Sequence, residues 1–226
     1  MAIEVADGVF QLAPLPYVNV VAIRGGNGWT VVDAALAPTA ERLVRGLGKL
    51  GIRTGDVERI VLTHGHVDHA GGAERVRAAF GAREVLVGAA DVADVRAGTN
   101  ASGDPGSLVE RAPIPSPGYP GVPSAQPLHG PLALDDDRHL VPVHTPGHTD
   151  GHTSFHLPDS GVVLGGDTVF NVFRMTPSPG FLCSDAGRNL ASILTLAELD
   201  PTTLLLSHGT PVRSDVRAKL REVARA

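Results

Sequence analysis

The chain has 226 residues, 42% of them hydrophobic and 19% charged, enough for a sizeable core and too apolar for a chain disordered throughout. Its 27 Gly and 18 Pro argue against a helical bundle, its single Cys excludes a disulfide framework and a Cys-rich zinc site, and its net charge of −5 weighs against a nucleic-acid surface. Ten His beside two Tyr and one Trp are the imbalance that needs a function.

The start of the chain carries Glu4 and Asp7 and no basic or apolar leader pattern. No apolar run approaches the ~20 residues that span a bilayer, so a soluble cytoplasmic protein is expected. Strands are predicted over 9–12, 18–24 and 29–33, with Gly25-Gly26-Asn27-Gly28 turning the last two into a hairpin. A helix opens at Pro38 and runs to Leu50, with Leu43, Leu47 and Leu50 on one face. A short buried strand over 59–63 leads straight into a His-rich turn. A helix over 71–80, a strand over 84–87 and a short helix over 89–96 follow.

From Gly98 to Pro131 the pattern breaks, with six Gly and eight Pro in 34 residues. A segment of that length inside a compact domain is expected to be a flap or insertion over a site. Strands then fall at 140–143, 154–157 and 161–165. A helix over 185–199 is expected to be capped by Ser184 and stopped by Asp200-Pro201, before a strand at 203–206 and a last helix from Ser214. Strands followed by helices in both halves predict a layered α/β domain over 1–226. One order occurs twice: an apolar strand ending in Asp33 or Asp167, a helix, then an apolar strand ending in Thr63-His64-Gly65 or Ser207-His208-Gly209.

The chemistry concentrates in Thr63-His64-Gly65-His66-Val67-Asp68-His69, three imidazoles and a carboxylate within six residues. His64 and His66, two apart, share a direction on an extended segment, and Asp68 and His69 on the next turn can face a second centre. Nitrogen and oxygen ligands of this kind suit Zn²⁺, and also Fe or Mn. Further His and Asp follow turn signals at His144-Thr145-Pro146-Gly147-His148, at Gly166-Asp167-Thr168 and at Ser207-His208-Gly209. His152 and His156 flank a strand and are read as hydrogen-bonding groups, His139 as exposed and Cys183 as a buried or incidental thiol.

Taken in this order, the motifs resemble those of the metallo-β-lactamase-fold hydrolases over nearly the whole chain. The resemblance implies a four-layer αβ/βα sandwich with a dinuclear metal site at one edge, two Zn²⁺ with Fe or Mn as alternatives. It assigns His64, His66 and His148 to the first ion, Asp68, His69 and His208 to the second, and Asp167 to both. It makes Asp33 a partner that orients a ligand His, although Ala34-Ala35 follow it where the family often has Thr-Gly. A hydroxide bridging the ions would cleave a small thioester, ester or lactone, with Asp68 orienting the nucleophile or shuttling its proton. Asp167 stands where true β-lactamases commonly have Cys or Ser, His66 where flavodiiron proteins have Glu, and Phe170 where quorum-signal lactonases have Tyr. Gly166-Asp167-Thr168-Val169-Phe170 is instead similar to the motif of glyoxalase II, although that family's C-terminal glutathione-binding domain is not expected within the 18 residues given after His208. The expected partner is a small molecule, with neither nucleic acid nor membrane. The alternative within the same fold is a mononuclear iron dioxygenase acting on persulfides. A nuclease and a non-catalytic binding module are disfavoured by the acidic balance and by the intact motifs. His144, His129 and Arg174 are the remaining candidates near ligands or substrate.

Overall fold

A computed structural model describes residues 2–15, 18–101 and 118–225, the first of these without the side chains of 13–15. Its strands alternate their faces strictly. Val20 and Ala22 of β3 (Val18–Arg24) join one buried cluster, whereas Val21 and Ile23 join another. The same split separates Val31 from Val32 in β4 (Trp29–Val32), Ile60 from Val61 in β5 (Val57–Val61), and Val85 from Leu86 in β6 (Glu84–Val87). A strand with apolar side chains on both faces must be covered on both. These strands, with β1 (Ala2–Ala6), β2 (Val9–Leu15) and β7 (Gln126–Pro127), form a seven-stranded sheet in chain order. It is antiparallel as far as β4 and parallel from there on.

The second sheet is built the same way. Its order is β14-β11-β10-β9-β8, made of Thr203–Leu205, Val162–Leu164, Thr153–Leu157, His139–His144 and Leu132–Ala133. Val162, Leu164 and Leu205 face the first sheet, whereas Val163 and Leu204 face away. Helices α1 (Ala40–Lys49), α2 (Val67–Ala70), α3 (Ala73–Phe80) and α4 (Val92–Ala97) lie along the first half of the chain. Leu43 and Leu47 of α1, Val76 and Phe80 of α3 and Val95 of α4 cover the outer face of the first sheet. Ile193 and Leu196 of α5 (Ala186–Glu198) and Leu220 of α6 (Val216–Val223) cover the outer face of the second. Three apolar seams therefore separate four layers, helix–sheet–sheet–helix, which is the αβ/βα sandwich that the resemblance implies.

Most predicted elements fall within a few residues of their observed ends. One cap differs. Helix α5 is capped by Asp185, whose carboxylate accepts from Arg188 N at 2.9 Å, while Ser184 Oγ donates to the Gly147 carbonyl at 3.1 Å. Strands β1, β7 and β8 and the hairpin β12–β13 (Val169–Asn171 and Met175–Pro177) were not foreseen. The middle of the Gly/Pro-rich segment, 102–117, lies outside the described residues. The duplicated strand order has a common geometry: β4 pairs parallel with β5, and β11 parallel with β14. Asp33 and Asp167 leave the ends of β4 and β11, and His64 and His208 follow the ends of β5 and β14, so all four emerge at corresponding strand ends.

Candidate metal centre

The His-rich turn after β5 is held by backbone before any side chain acts. Asp33 and Ala35 adopt left-handed φ of 63° and 60°, which non-glycine residues reach only when the surroundings impose it. Ala34 N donates to the His69 carbonyl at 2.7 Å and Gly72 N to the Ala35 carbonyl at 2.8 Å, clasping the Asp33 loop onto α2. The Asp33 carboxylate is thereby buried and accepts from Thr63 N at 2.8 Å, from Thr63 Oγ1 at 3.0 Å and from His69 Nδ1 at 2.9 Å. Alanine at position 35 thus adopts the left-handed turn despite its Cβ.

The outer nitrogens of His64, His66, His69 and His148 are engaged. His69 Nδ1–H donates to Asp33. His64 Nδ1 lies 3.0 Å from Thr63 Oγ1, whose own proton goes to Asp33, so the imidazole is the donor. His66 Nε2–H faces the Ala101 carbonyl at 3.2 Å, and His148 Nδ1 meets Ser178 Oγ at 2.9 Å. The inner nitrogens are left as lone pairs converging on one point: His64 Nε2 and His66 Nδ1 are 3.0 Å apart, His148 Nε2 and His66 Nδ1 2.9 Å, and His148 Nε2 and His64 Nε2 3.2 Å.

Asp167 stands beside this triad. Its Oδ2 is 3.5 Å from His148 Nε2 and 3.2 Å from His208 Nε2, and its Oδ1 is 3.4 Å from His69 Nε2. Asp68 Oδ2 lies 3.6 Å from His69 Nε2 and 3.5 Å from His208 Nε2. The donors fall into three sets compatible with an ion: His64, His66 and His148; His64, His69 and Asp167; and Asp68, His69 and His208. Two atoms test whether a cation fits. His69 Nε2 and Asp167 Oδ1 are buried without a hydrogen-bond partner among the described residues, a state that costs free energy unless a ligand relieves it.

The electrostatics point the same way. Burial, then the neighbouring imidazoles, hold His64 and His148 well below the usual histidine range, so both keep their lone pairs at neutral pH. Burial also pulls on His69, but Asp167, Asp68 and Asp33 outweigh it and raise the group well above that range. Burial alone would raise Asp167, yet His69 and His208 keep it well below the ordinary carboxylate value. One side of the centre offers neutral nitrogen donors and the other calls for positive charge.

The structure brings together all seven predicted ligands and places Asp33 behind them. The other candidates lie elsewhere. His144 Nε2–H donates to the Asp150 carbonyl at 2.9 Å, so it closes the His148 loop from outside and orients no ligand ring. His129 is exposed just past β7, and its side chain has no hydrogen bond or ion pair among the described residues. Arg174 is exposed at the tip of the β12–β13 hairpin, beside a fully exposed Phe173. His152, as read from the sequence, serves the fold: its Nε2 accepts from Asp167 N at 3.0 Å and its Nδ1 lies 2.9 Å from Thr145 Oγ1. With Nε2 occupied by a backbone N–H, that ring has no lone pair to give to an ion. Gly166 needs to be glycine here, since its φ is 58° and a Cβ would stand 2.5 Å from His152 Nε2.

Sequence reasoning missed several supports. Asp91 is buried after β6 and accepts from Gly65 N at 2.9 Å, Thr149 Oγ1 at 2.8 Å and Gly151 N at 2.9 Å. One carboxylate thus ties the loop bearing His64 and His66 to the loop bearing His148. Asn19 Nδ2 donates to the Leu206 and Gly209 carbonyls at 2.9 and 2.8 Å, fixing the His208 turn. The described ends of the Gly/Pro-rich segment also reach the site: Tyr119 OH donates to the Gly65 carbonyl at 3.0 Å, and Asn100 Oδ1 accepts from Val67 N at 2.7 Å. The available signal for Asp91 was its position, a carboxylate shortly after a buried strand, as with Asp33 and Asp167.

The model of the metallo-beta-lactamase superfamily matches residues 13–208. The chain belongs to that superfamily. Among individual proteins, it is 25% identical to the uncharacterized protein YobT of Bacillus subtilis, over 95% of this chain and 94% of YobT. It is 27% identical to YflN of the same organism, named a probable metallo-hydrolase, over 88% of this chain and 82% of YflN. MEM-A1, a subclass B3 metallo-beta-lactamase from a soil metagenome library, superposes with a TM-score of 0.77, covering 99% of this chain and 92% of its own, at 20% identity. At that identity the likeness speaks for the superfamily fold alone. Membership makes the chain one of a family of mostly metal-dependent hydrolases with a His/Asp metal-type site. No helix among the described residues is long and apolar enough to cross a membrane.

Proposed function

We propose that this superfamily member is a dinuclear metal-dependent hydrolase of a small thioester, ester or lactone. His64, His66 and His148 would hold one ion, Asp68, His69 and His208 the other, and Asp167 both, with zinc the foremost candidate. The observation that carries this reading is Asp167, whose two oxygens lie within 3.5 Å of His148, His69 and His208 and whose Oδ1 is otherwise unsatisfied. When bound, such a pair of ions supplies Lewis-acid polarisation of a carbonyl and lowers the pKa of water toward ~7.

The chain's own groups do the rest. Asp33, Thr63, Ser178 and the Ala101 carbonyl fix which nitrogen of His69, His64, His148 and His66 faces inward, so these four need no reorganisation when substrate arrives. Asp68 is the least buried of the acids at the centre, with 26% of its side chain exposed against 4% for Asp167. That makes it the carboxylate able to orient a water and pass its proton outward. Phe170, its ring tilted 35° against His208 with centroids 4.5 Å apart, lies against that imidazole and offers an apolar wall.

Protein purified without chelators should carry about two metal ions per chain and hydrolyse members of a panel of small thioesters, esters and lactones. Activity should disappear on chelation and return with Zn²⁺. About one iron and no zinc per chain, with oxygen uptake on a persulfide, would overturn this reading in favour of the dioxygenase.

A further inference from the structure

A cavity of about 840 Å³ opens beside the β12–β13 hairpin, walled by Asn171, by β13, by residues 211–214 and by α6. None of the seven clustered His and Asp residues lines it. Its charge is the reverse of the chain's: Arg174, Arg213 and Lys219 face it with Glu222 the only acid, in a protein whose net charge is −5.

The two arginines are also uncommitted. Neither side chain makes a hydrogen bond or ion pair among the described residues. Arg42, Arg45, Arg53, Arg83 and Arg225 are likewise unpaired among the described residues, but Arg174 and Arg213 are the two unpaired arginines that share one cavity. Lys219 Nζ donates to Ser214 Oγ at 3.0 Å, which holds its ammonium at the rim. Pro211 and Val212 give the cavity an apolar wall. Concave space of several hundred Å³, apolar walls and a few convergent polar groups are the marks of a small-molecule site.

We propose that this cavity binds an organic anion through a phosphate or carboxylate group, with the guanidinium forks of Arg174 and Arg213 taking the anionic head. Lys219 adds a point charge, and the organic portion lies on Pro211 and Val212. The site does not depend on the hydrolase reading. It is nonetheless coupled to the His/Asp centre through its own wall, because Asn171 lines the cavity and its N–H donates to the His208 carbonyl at 2.9 Å.

The test is titration calorimetry on the full-length, metal-loaded protein with phenyl phosphate, benzoate and neutral benzyl alcohol. At least one of the two anions should bind and the alcohol should not, with affinity falling as salt rises. The Arg174→Gln/Arg213→Gln double variant should lose about tenfold or more in affinity, as expected for charge-assisted hydrogen bonds, with metal content and Tm unchanged. Each single variant should lose part of that. Binding by the anion that is preferred tells phosphate from carboxylate. No binding of either anion, or binding that is equally tight in the double variant, overturns the proposal, the second result by placing the anion elsewhere.

Discussion

Asp91 shows how much of the centre depends on groups that touch no ligand atom. Its Oδ2 takes Gly65 N–H and Thr149 Oγ1–H, and its Oδ1 takes Gly151 N–H. Asn at this position would turn one acceptor into a donor facing a donor, leaving at least one buried N–H unsatisfied. The His64–His66 turn and the His148 loop would then lose their common anchor. Asp91→Asn should therefore reduce metal affinity by about 10- to 100-fold, read by competition with a metallochromic indicator. Its circular dichroism should remain that of the parent. Asp33→Asn makes a sharper forecast, because Asp33 serves His69 directly and His64 through Thr63. It should weaken the ion proposed for Asp68, His69 and His208 before the other, seen as biphasic metal release. Uniform loss of both ions would contradict the separate role given to Asp33.

At the scale of elements, the strand ends were legible and the loops between them were not. Buried strands of four to five residues such as Val57–Val61 announce themselves by apolar runs bounded by turns, and a His or Asp placed just beyond such a run is pinned to a sheet edge. That is why all seven clustered residues could be named from spacing and resemblance. His144, only four residues from His148, shows the limit: at the end of β9 its ring points to its own loop's backbone, a choice set by the sheet's pleat that spacing does not disclose. The short strands β7, β8, β12 and β13 have two or three residues each, too few to carry a period. The caps depend on geometry of the same kind. Asp185 N donates to the Gly147 carbonyl at 2.8 Å and Ser184 N to the His148 carbonyl at 3.0 Å, so the start of α5 supports the His148 loop. Asp185→Ala should cost about 1 kcal/mol by loss of the cap, measurable in urea unfolding, while Ser184→Ala should cost less. A larger loss from Ser184→Ala than from Asp185→Ala would return the cap to Ser184.

The whole molecule is two packed sheets joined chiefly by the apolar seam of Val21, Ile23, Val61, Leu140, Phe155, Leu164 and Leu205. The His/Asp centre adds a polar junction at one edge of that seam. His64, His66, Asp68 and His69 come from the first sheet's loops, and His148, Asp167 and His208 from the second's. Ions held there would tie the halves of the chain together and bind only the folded state. Mass action then fixes the size of the effect: one site filled at a hundred times its dissociation constant adds about 2.7 kcal/mol. For a chain of this length each kcal/mol moves Tm by about 2–4 °C, so chelation should lower Tm by roughly 5–10 °C for each ion removed. Zn²⁺ should restore it. Asp68→Asn, which strips a donor from one set only, should retain the part of the shift due to the His64, His66 and His148 ion. The apo protein should stay folded at room temperature, because the three apolar seams are independent of the centre. Scanning calorimetry with metal content measured on the same samples decides the matter. An unchanged Tm after verified removal of the metal would mean that the centre contributes nothing to joining the sheets.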